Sequence, residues 1–367
     1  MNLIELHIIQ SFPVTCLNRD DLGSPKSAFF GGVERARVSS QCWKRAIRKY
    51  AHDEMPNMFA GIRSKLIGPS IISVAKEIGC DDNRAMAYAR IIVEKLGKDK
   101  SWNEVKTLLY FSPETFKNMV KKLNDAKTVT DEMVAGVNSD DDKIVAKAMK
   151  SALAAADKVL KGLGDAVSDA ADIALFGRMV ADDASQTVEG SAMFSHALST
   201  HAVRSDLDFF SAVDDLKKDA EDAGAGHIGT VEFNSACYYR YVGVNLDLLK
   251  QSKLFDASQL QTVLDNFIRA VVMANPVARR NAMFGYTLPA CVLGLRRKGQ
   301  PLSLANAFEV PVSSGKDGLV ATSVAKMKKE WDDLKKTFGL DEMVCSYMEK
   351  GGVTLDELIQ TMLANLD

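Results

Sequence analysis

The most informative segment of this chain is residues 16–50, which read CLNRDDLGSPKSAFFGGVERARVSSQCWKRAIRKY. From Arg19 to Tyr50 it carries eight basic residues against three acidic ones, a local charge of +5 in a protein whose formal net charge is −2. A basic excess of this kind in a nearly neutral chain favours an anion-binding surface over a general solubility device.

The end of this segment predicts an amphipathic helix. Ser39 or Ser40 can cap it by accepting a hydrogen bond from an N–H group of the first turn. At about 100° per residue, one arc of this helix is apolar and the opposite arc is basic. The apolar arc contains Cys42, Trp43, Ala46, Ile47 and Tyr50, and the basic arc contains Lys44, Arg45, Arg48 and Lys49. Free N–H donors at the helix start suit a phosphate. A solvated surface helix is the alternative, and the neighbouring Arg19, Lys26 and the loop 29–32 favour the anion site.

The bulk composition predicts a protein with a full hydrophobic core. The chain has 367 residues with 47% hydrophobic content, enough for a main domain with insertions. Residues 3–9 are too short for a secretory leader, and no run approaches the roughly 20 apolar residues that span a bilayer. The six cysteines contain no C-x-x-C pair, which argues against a disulfide framework or a zinc site. We therefore expect a cytoplasmic protein without membrane contact.

Charge is distributed unevenly along the chain. Residues 128–225 carry 19 acidic and 9 basic side chains, whereas residues 276–308 carry five basic and no acidic ones. Two basic segments thus bracket an acidic middle, and a bound polyanion would contact only part of the molecule.

Hydrophobic periodicity predicts an α+β protein in which a sheet domain carries long insertions. Strands are predicted at 3–9, 172–179, 231–242 and 290–295. Beyond the basic helix, helices are predicted at 260–273, 322–338 and 354–366. Residues 55–164 form a helical block in which Asp81, Ser112 and Thr130 mark helix starts.

Motifs for catalysis are weak. Residues 224–229 match G-x-G-x-x-G, but an acidic, helix-like stretch precedes them and a strand follows, the reverse of a dinucleotide site. His196 and His201 are five residues apart, which is not the spacing of zinc ligands on one helix face. The aspartates between 206 and 222 lack the signature of a calcium loop. The sequence therefore favours binding over catalysis and predicts no cofactor.

An aromatic pair lies in the polar stretch SDLDFFSAVDDL (205–216). Adjacent aromatics such as Phe209 and Phe210 cannot both point into a core from one helix face, so at least one should lie at a surface. With Val213 they could form a wedge for bases, where stacking contributes roughly 1–3 kcal/mol per base. A hydrophobic contact with another subunit is an equal alternative.

Several long segments resemble the CasC family, the repeated backbone subunit of the type I-E CRISPR Cascade complex. The segments are LNRDD to KRAIR (17–48), DIALFGRM (172–179), SHALSTHAVRSDLDFFSAVDDL (195–216), HIGTVEFNSACYYRYVGVNL (227–246) and PLSLANAFE (301–309). The likeness is nearly end to end, although residues 55–165 contribute little to it.

The resemblance implies a modified RNA-recognition-motif (ferredoxin-like) palm with helical fingers and a thumb. The implied boundaries are palm at 1–54, fingers at 55–169, a palm strand at 170–194, thumb at 195–230 and the second part of the palm at 231–367. The usual aromatic signature of the RNA-recognition motif is missing, which argues against base stacking on the sheet face.

The resemblance also implies a function. Family members polymerise along the CRISPR guide RNA, kink it at intervals and present it for pairing with target DNA. The implied partners are the guide RNA, target DNA, further copies of the chain, other Cascade subunits and a recruited helicase-nuclease. The implied guide-backbone contacts are Arg19, Lys26, Ser39, Ser40, Gln41, Lys44, Arg45 and Arg48. Phe209, Phe210 and Val213 would lie on the thumb, with Met179 near the kinked nucleotide.

Two alternatives remain open. Backbone subunits of type III complexes cleave RNA with a loop aspartate, and Asp20 and Asp21 lie beside Arg19, so metal-dependent RNA cleavage is one. A generic single-strand RNA-binding protein, which would coat any RNA without partner subunits, is the other.

Overall fold

The computed structural model describes residues 1–160, 170–178, 187–212, 227–252 and 254–366. The chain divides into two compact units. The sheet unit comprises Met1–Glu54, Ala192–Leu248 and Ala257–Asp367, and the helical unit comprises Met55–Ser191 and Leu249–Asp256.

Helices and strands both contribute to the described part of the chain. The strands are β1 (Asn2–Thr15), β2 (Ser27–Phe30), β3 (Val33–Val38), β4 (Ile62–Leu66), β5 (Glu104–Phe111), β6 (Ala192–Phe194), β7 (Ala197–Ser199), β8 (Asp206–Ala212), β9 (His227–Asn245), β10 (Cys291–Lys298) and β11 (Glu342–Glu349). The helices are α1 (Ser40–Glu54), α2 (Gly68–Glu77), α3 (Asp82–Lys95), α4 (Pro113–Ala126), α5 (Asp131–Val137), α6 (Asp142–Leu160), α7 (Ala171–Phe176), α8 (Leu246–Gln251), α9 (Ala257–Met273), α10 (Gly318–Phe338) and α11 (Leu355–Leu363).

The sheet unit is built on a long antiparallel sheet. Within the described residues its strand order is β11-β10-β1-β9-β7-β3-β2, and β6 and β8 also pair with β9. The central strand β1 is buried over most of its length: Ile4, Leu6 and Ile8 make one face apolar, and the buried Glu5 and His7 on the other face have polar partners. β1 pairs with β10 from Asn2 to Ile9 and with β9 from Leu3 to Thr15. The mixed α+β class predicted from periodicity is confirmed.

The helical unit has its own core, formed by α2 to α6 together with β5, which pairs with β4 in an antiparallel sheet of two strands. The predicted helix starts are confirmed there. Asp81, Ser112 and Thr130 each accept a hydrogen bond from the backbone three residues later. Ser112 and Thr115 complete a reciprocal capping box.

Three local predictions are wrong. The block 55–164 was expected to be helical, but it also contains the paired strands β4 and β5. The segment 172–179 was expected to be a strand, but Ala171–Phe176 is a helix of the helical unit. Its Asp172 is buried and accepts hydrogen bonds from the Gly61 N–H at 3.0 Å and from the Tyr110 hydroxyl at 2.6 Å. Most apolar residues of this helix are buried too, so the run packs in a local core. The stretch around Phe209, treated above as helical, is strand β8.

The remaining predicted elements are confirmed. They are the helices α9, α10 and α11 and the strands β9 and β10. The connector 224–226 lies outside the described residues. All six cysteines are free thiols.

Candidate nucleic-acid interface

A groove of about 810 Å³ lies on the sheet unit beside helix α1. One wall is the turn 17–23, another is α1, and the third is the segment 273–286 that follows α9. Arg19, Arg45, Lys49 and Arg280 line it, together with the carboxylates of Asp20, Asp21 and Asp53. Three parts of the chain that are distant in sequence therefore bring cations to one concave surface.

Helix α1 is anchored by its apolar arc. Trp43 and Ile47 are buried, and the Trp43 ring packs against Phe12 and the Arg240 guanidinium. The residues of the opposite, basic arc differ in their exposure to solvent. Arg45 and Lys49 are exposed, as predicted, whereas Lys44 is half-buried.

Lys44 differs from its neighbours on the basic arc. Its ammonium lies 5.2 Å from the centre of the Phe194 ring, and burial lowers the pKa of this amine. Arg48 is also half-buried and interacts with other groups. The outward-facing charge of α1 is therefore carried mainly by Arg45 and Lys49.

More of the backbone N–H groups at the start of α1 have hydrogen-bond partners within the chain than the sequence suggested. Ser39 is the cap, because its hydroxyl accepts the Cys42 N–H at 3.3 Å. The Ser40 N–H donates to the Nδ1 atom of His196 at 3.3 Å, and the Ser40 hydroxyl contacts the side chain of Gln41 at 3.4 Å. These contacts leave fewer free N–H donors for a phosphate than a bare helix start offers.

Positive charge nevertheless collects at this helix start. Burial, with the nearby Arg37 and Lys26, lowers the pKa of His196. A neutral imidazole is the form that can accept the Ser40 N–H. The same cluster places Lys26 within electrostatic reach of Cys42 on α1.

The turn next to the groove is shaped by Asp20. One carboxylate oxygen accepts the backbone N–H groups of Leu22 and Ser24, each at 2.9 Å. The backbone of Arg19 forms an isolated β-bridge with Pro25 across the turn, and Arg19 is exposed. Asp20 and Asp21 are both exposed, and the two hydrogen bonds show that Asp20 stabilises the turn. No three His, Cys, Asp or Glu side chains are grouped to hold a metal ion among the residues that the structure describes.

The predicted thumb aromatics lie on a β-hairpin. Phe210 of β8 pairs with Gly229 of β9, and Phe209 pairs with Thr230. The Phe210 ring covers Gly229, where an added Cβ atom would overlap the ring. Phe209 lies on the opposite face of the strand and is 74% exposed. Val213 and Met179, the other residues expected near a displaced nucleotide, lie outside the described residues.

Some cations counted in the sequence do not contribute to a surface. Arg35 is buried and donates to the carbonyl oxygens of Phe30, Ser199, Phe308 and Glu309. Arg297 is buried in an ion pair with Glu5, and Arg296 donates to carbonyl oxygens near the end of α11. The count of +5 for residues 19–50 thus overstates the exposed positive charge because it includes Arg35, and the five basic residues counted in 276–308 include Arg296 and Arg297.

Sequence reasoning missed the third wall of the groove. Residues 276–308 were recognised as free of acidic side chains, but nothing connected them to the segment 16–50. The signal was the pair Arg279-Arg280, which follows the end of the helix predicted at 260–273. The fold brings Arg280 to the groove beside α1, because Thr15 at the end of β1 and Met273 at the end of α9 line the same groove.

The sheet, the hairpin and the groove define an α+β protein with a surface suited to a polyanion. Residues 4–365 match the sequence model of the family described as "CT1975-like protein", and the chain belongs to this family. Among curated protein sequences, none matches the chain.

Solved structures extend this assignment. The chain is similar to a chain of a "CRISPR RNA-guided surveillance complex, pre-nicking", with 29% identity, a TM-score of 0.78 and 99% of each chain covered. It also shares its fold with a chain of a "CRISPR RNA-guided surveillance complex", with 24% identity, a TM-score of 0.62 and 100% of each chain covered. The protein is therefore homologous to subunits of CRISPR RNA-guided surveillance complexes. This confirms the relation to such complexes that the sequence resemblance predicted. In the described part of the chain, no helix has the length and apolar character needed to cross a membrane.

Proposed function

We propose that this protein is a non-catalytic backbone subunit that binds a CRISPR guide RNA through its sugar-phosphate chain. The groove carries the proposal: Arg19, Arg45, Lys49 and Arg280 converge on one surface of a protein homologous to surveillance-complex subunits. Polymerisation along the guide, and membership of a type I-E Cascade complex of cytoplasmic location, are the finer parts of the same proposal. So is the description of the sheet unit as a palm of the RNA-recognition type.

The chemistry of the groove suits a guide of any sequence. Contacts to phosphate carry no sequence information, so a protein that holds many different guides should use cations rather than readers of base edges. Specificity is then left to Watson–Crick pairing between guide and target. Arginine adds a planar fork that binds phosphate oxygens in pairs.

The pair of strands β8 and β9 supports a second role. Phe209 is too exposed for packing against the described residues of its own chain to explain its position. We assign it to displacing or stacking a nucleotide of a guide bound to a neighbouring copy. Target DNA, other Cascade subunits and a recruited helicase-nuclease are the further partners of the proposal.

A charge-reversal experiment tests RNA binding. The variant Arg45→Glu/Lys49→Glu should lose guide RNA on purification, because it places two negative charges in the groove. Its matched control is Lys316→Glu/Lys336→Glu, which reverses two exposed cations that do not line the groove. Equal RNA retention in both double variants would contradict the proposal.

Salt dependence and co-purification complete the test. For wild-type protein, log K should fall with log salt by about 0.7 for each single-strand phosphate contacted. Sequencing the bound RNA should return CRISPR guides, and mass spectrometry should identify the other subunits that define the type of the complex. A monomer that coats unrelated RNA would instead support the generic RNA-binding alternative.

The competing hypothesis of RNA cleavage is tested at the turn. The Asp20 carboxylate already accepts two backbone N–H groups, which favours a structural task over metal binding. Labelled RNA incubated with purified protein and Mg²⁺ should stay intact. Cleavage that disappears in Asp20→Asn or Asp21→Asn would replace our proposal with the metal-dependent one.

A further inference from the structure

The segment 275–287, which we call the clamped loop, is fastened at both ends. The side-chain amide of Asn275 donates to the Thr287 carbonyl oxygen at 2.6 Å. The Gln10 amide of β1 donates to both the Asn275 side chain at 2.9 Å and the Thr287 carbonyl at 2.8 Å. The Thr287 hydroxyl donates to the Ser11 carbonyl at 2.8 Å. The base of this loop is therefore fixed to the central strand of the sheet.

The interior of the clamped loop is also ordered by specific contacts. Arg279 adopts a left-handed backbone conformation with φ of 51°, and its carbonyl accepts the Met283 N–H at 2.8 Å. The Tyr286 hydroxyl donates to the Met273 carbonyl at the end of α9, at 2.9 Å. Gly285 is packed so closely on Thr15 that an added Cβ atom would lie 2.9 Å from the Cβ atom of Thr15. Arg279 is not a glycine, and a non-glycine residue keeps a left-handed backbone conformation only where its surroundings enforce it.

One cation and two aromatic rings of the clamped loop are exposed to solvent. Arg280 is exposed, and its guanidinium lies 5.8 Å from the centre of the Tyr286 ring, which is itself exposed. The Nε atom of Arg279 is buried and has no hydrogen-bond partner among the described residues. Phe284 is 68% exposed. Arg280, Phe284 and the Tyr286 ring are thus exposed on a loop that is fixed to the fold through its base and through the Tyr286 hydroxyl.

We propose that the clamped loop, which forms the third wall of the groove, contacts the same single-stranded RNA as α1. In this inference, which rests on the proposed function, Arg280 binds a phosphate, and the Tyr286 ring packs against a base or ribose beside it. Arg45 and Lys49 bind the strand from the opposite side of the groove. Cations interleaved with aromatic rings are the combination that binds single strands without sequence preference.

Measuring affinity against salt tests the cation. Full-length protein is titrated with fluorescent single-stranded RNA at several NaCl concentrations. Arg280→Ala should lower the salt slope of log K by about 0.7, which corresponds to one lost phosphate contact. Arg280→Lys should keep the slope, and the control Lys336→Ala should leave both slope and affinity unchanged.

Crosslinking tests the wall without any substitution. Wild-type protein is irradiated with RNA containing 4-thiouridine and digested with trypsin, which releases residues 281–296 as one peptide because no lysine or arginine lies between Asn281 and Arg296. RNA adducts on this peptide, together with the slope change in Arg280→Ala, would support the inference.

The outcomes separate the inference from the function on which it rests. If adducts form only within residues 16–50, and Arg280→Ala binds RNA as wild type does while Arg45→Ala binds more weakly, the inference is overturned and RNA binding by α1 stands. If wild-type protein binds no RNA at low salt, both fail.

Discussion

The cations of the groove and the cations of the sheet interior behave in opposite ways. Arg45 and Arg280 are exposed and have no carboxylate partner among the described ion pairs, whereas Arg297 is buried against Glu5. Arg35 and Arg240 are buried too, and donate to backbone carbonyl groups or to the side chain of Gln10. These arginines therefore either hold the sheet together or remain available to a ligand, and charge counts along the sequence cannot distinguish the two roles.

The largest expected effect comes from the sheet interior. Arg297→Met leaves Glu5 buried without its cation, although the Tyr241 hydroxyl and the Leu302 N–H still donate to it. Breaking a buried pair in this way should lower the free energy of unfolding by about 3–5 kcal/mol. Urea unfolding measures the loss.

The matched control removes both charges. Glu5→Gln/Arg297→Met leaves no uncompensated charge, so it should recover a large part of the stability that Arg297→Met loses. A double variant no more stable than the single one would show that packing, and not charge, explains the effect.

Acid should weaken the same interior through His7. This side chain is buried, its Nδ1 atom lies 3.0 Å from the Tyr239 hydroxyl, and burial together with Arg297 lowers its pKa to about 3. Between pH 6.5 and 3 the unfolded chain binds a proton that the folded chain does not, so stability falls as the pH falls.

The expected loss from His7 is about 1.4 kcal/mol for each pH unit below 6.5. It is measured by urea unfolding at pH 7 and pH 5.5, with His7→Gln as the comparison. Because other groups also titrate, the checked quantity is the difference between the two proteins. Equal pH dependence in both would remove His7 from this account.

The sequence alone predicted what depends on local patterns. The apolar arc of α1 and the caps at Asp81, Ser112 and Thr130 follow from residues a few positions apart, and the structure confirms them. The segment 172–179 failed because a short apolar run has no period that separates a buried helix from a buried strand.

The candidate site was predicted only in part, for a different reason. Arg45 and Arg280 are 235 positions apart, and the contact between their surroundings depends on the pairing of β1 with β9 and β10. The burial of Arg35 is equally non-local, because its carbonyl partners come from residues 30, 199, 308 and 309. Tertiary contacts of this kind leave no periodic signal in the sequence.

The hairpin should respond to substitution on one face only. Phe210→Ala uncovers Gly229 and should lower the free energy of unfolding by up to about 1 kcal/mol, the upper end of the range for cross-strand pairs. Phe209→Ala removes an exposed ring and should change stability by less than about 0.5 kcal/mol. Thermal unfolding compares the two variants. Chemical probing of ribose 2′-hydroxyl groups on bound guide should change in Phe209→Ala, and an unchanged pattern would argue that Phe209 contacts protein instead.

The smallest effect on stability is expected in the groove, and it tests the comparison most directly. Arg45 is exposed and makes no described ion pair, so Arg45→Ala should change the free energy of unfolding by less than about 0.5 kcal/mol. The same substitution should lower RNA affinity and reduce the salt slope of log K by about 0.7. Arg297→Met should show the reverse, with a large loss of stability and an unchanged slope for the protein that remains folded. If Arg45→Ala instead destabilises the fold and leaves the slope unchanged, the groove cation belongs with the structural ones, and the distinction between the two regions fails.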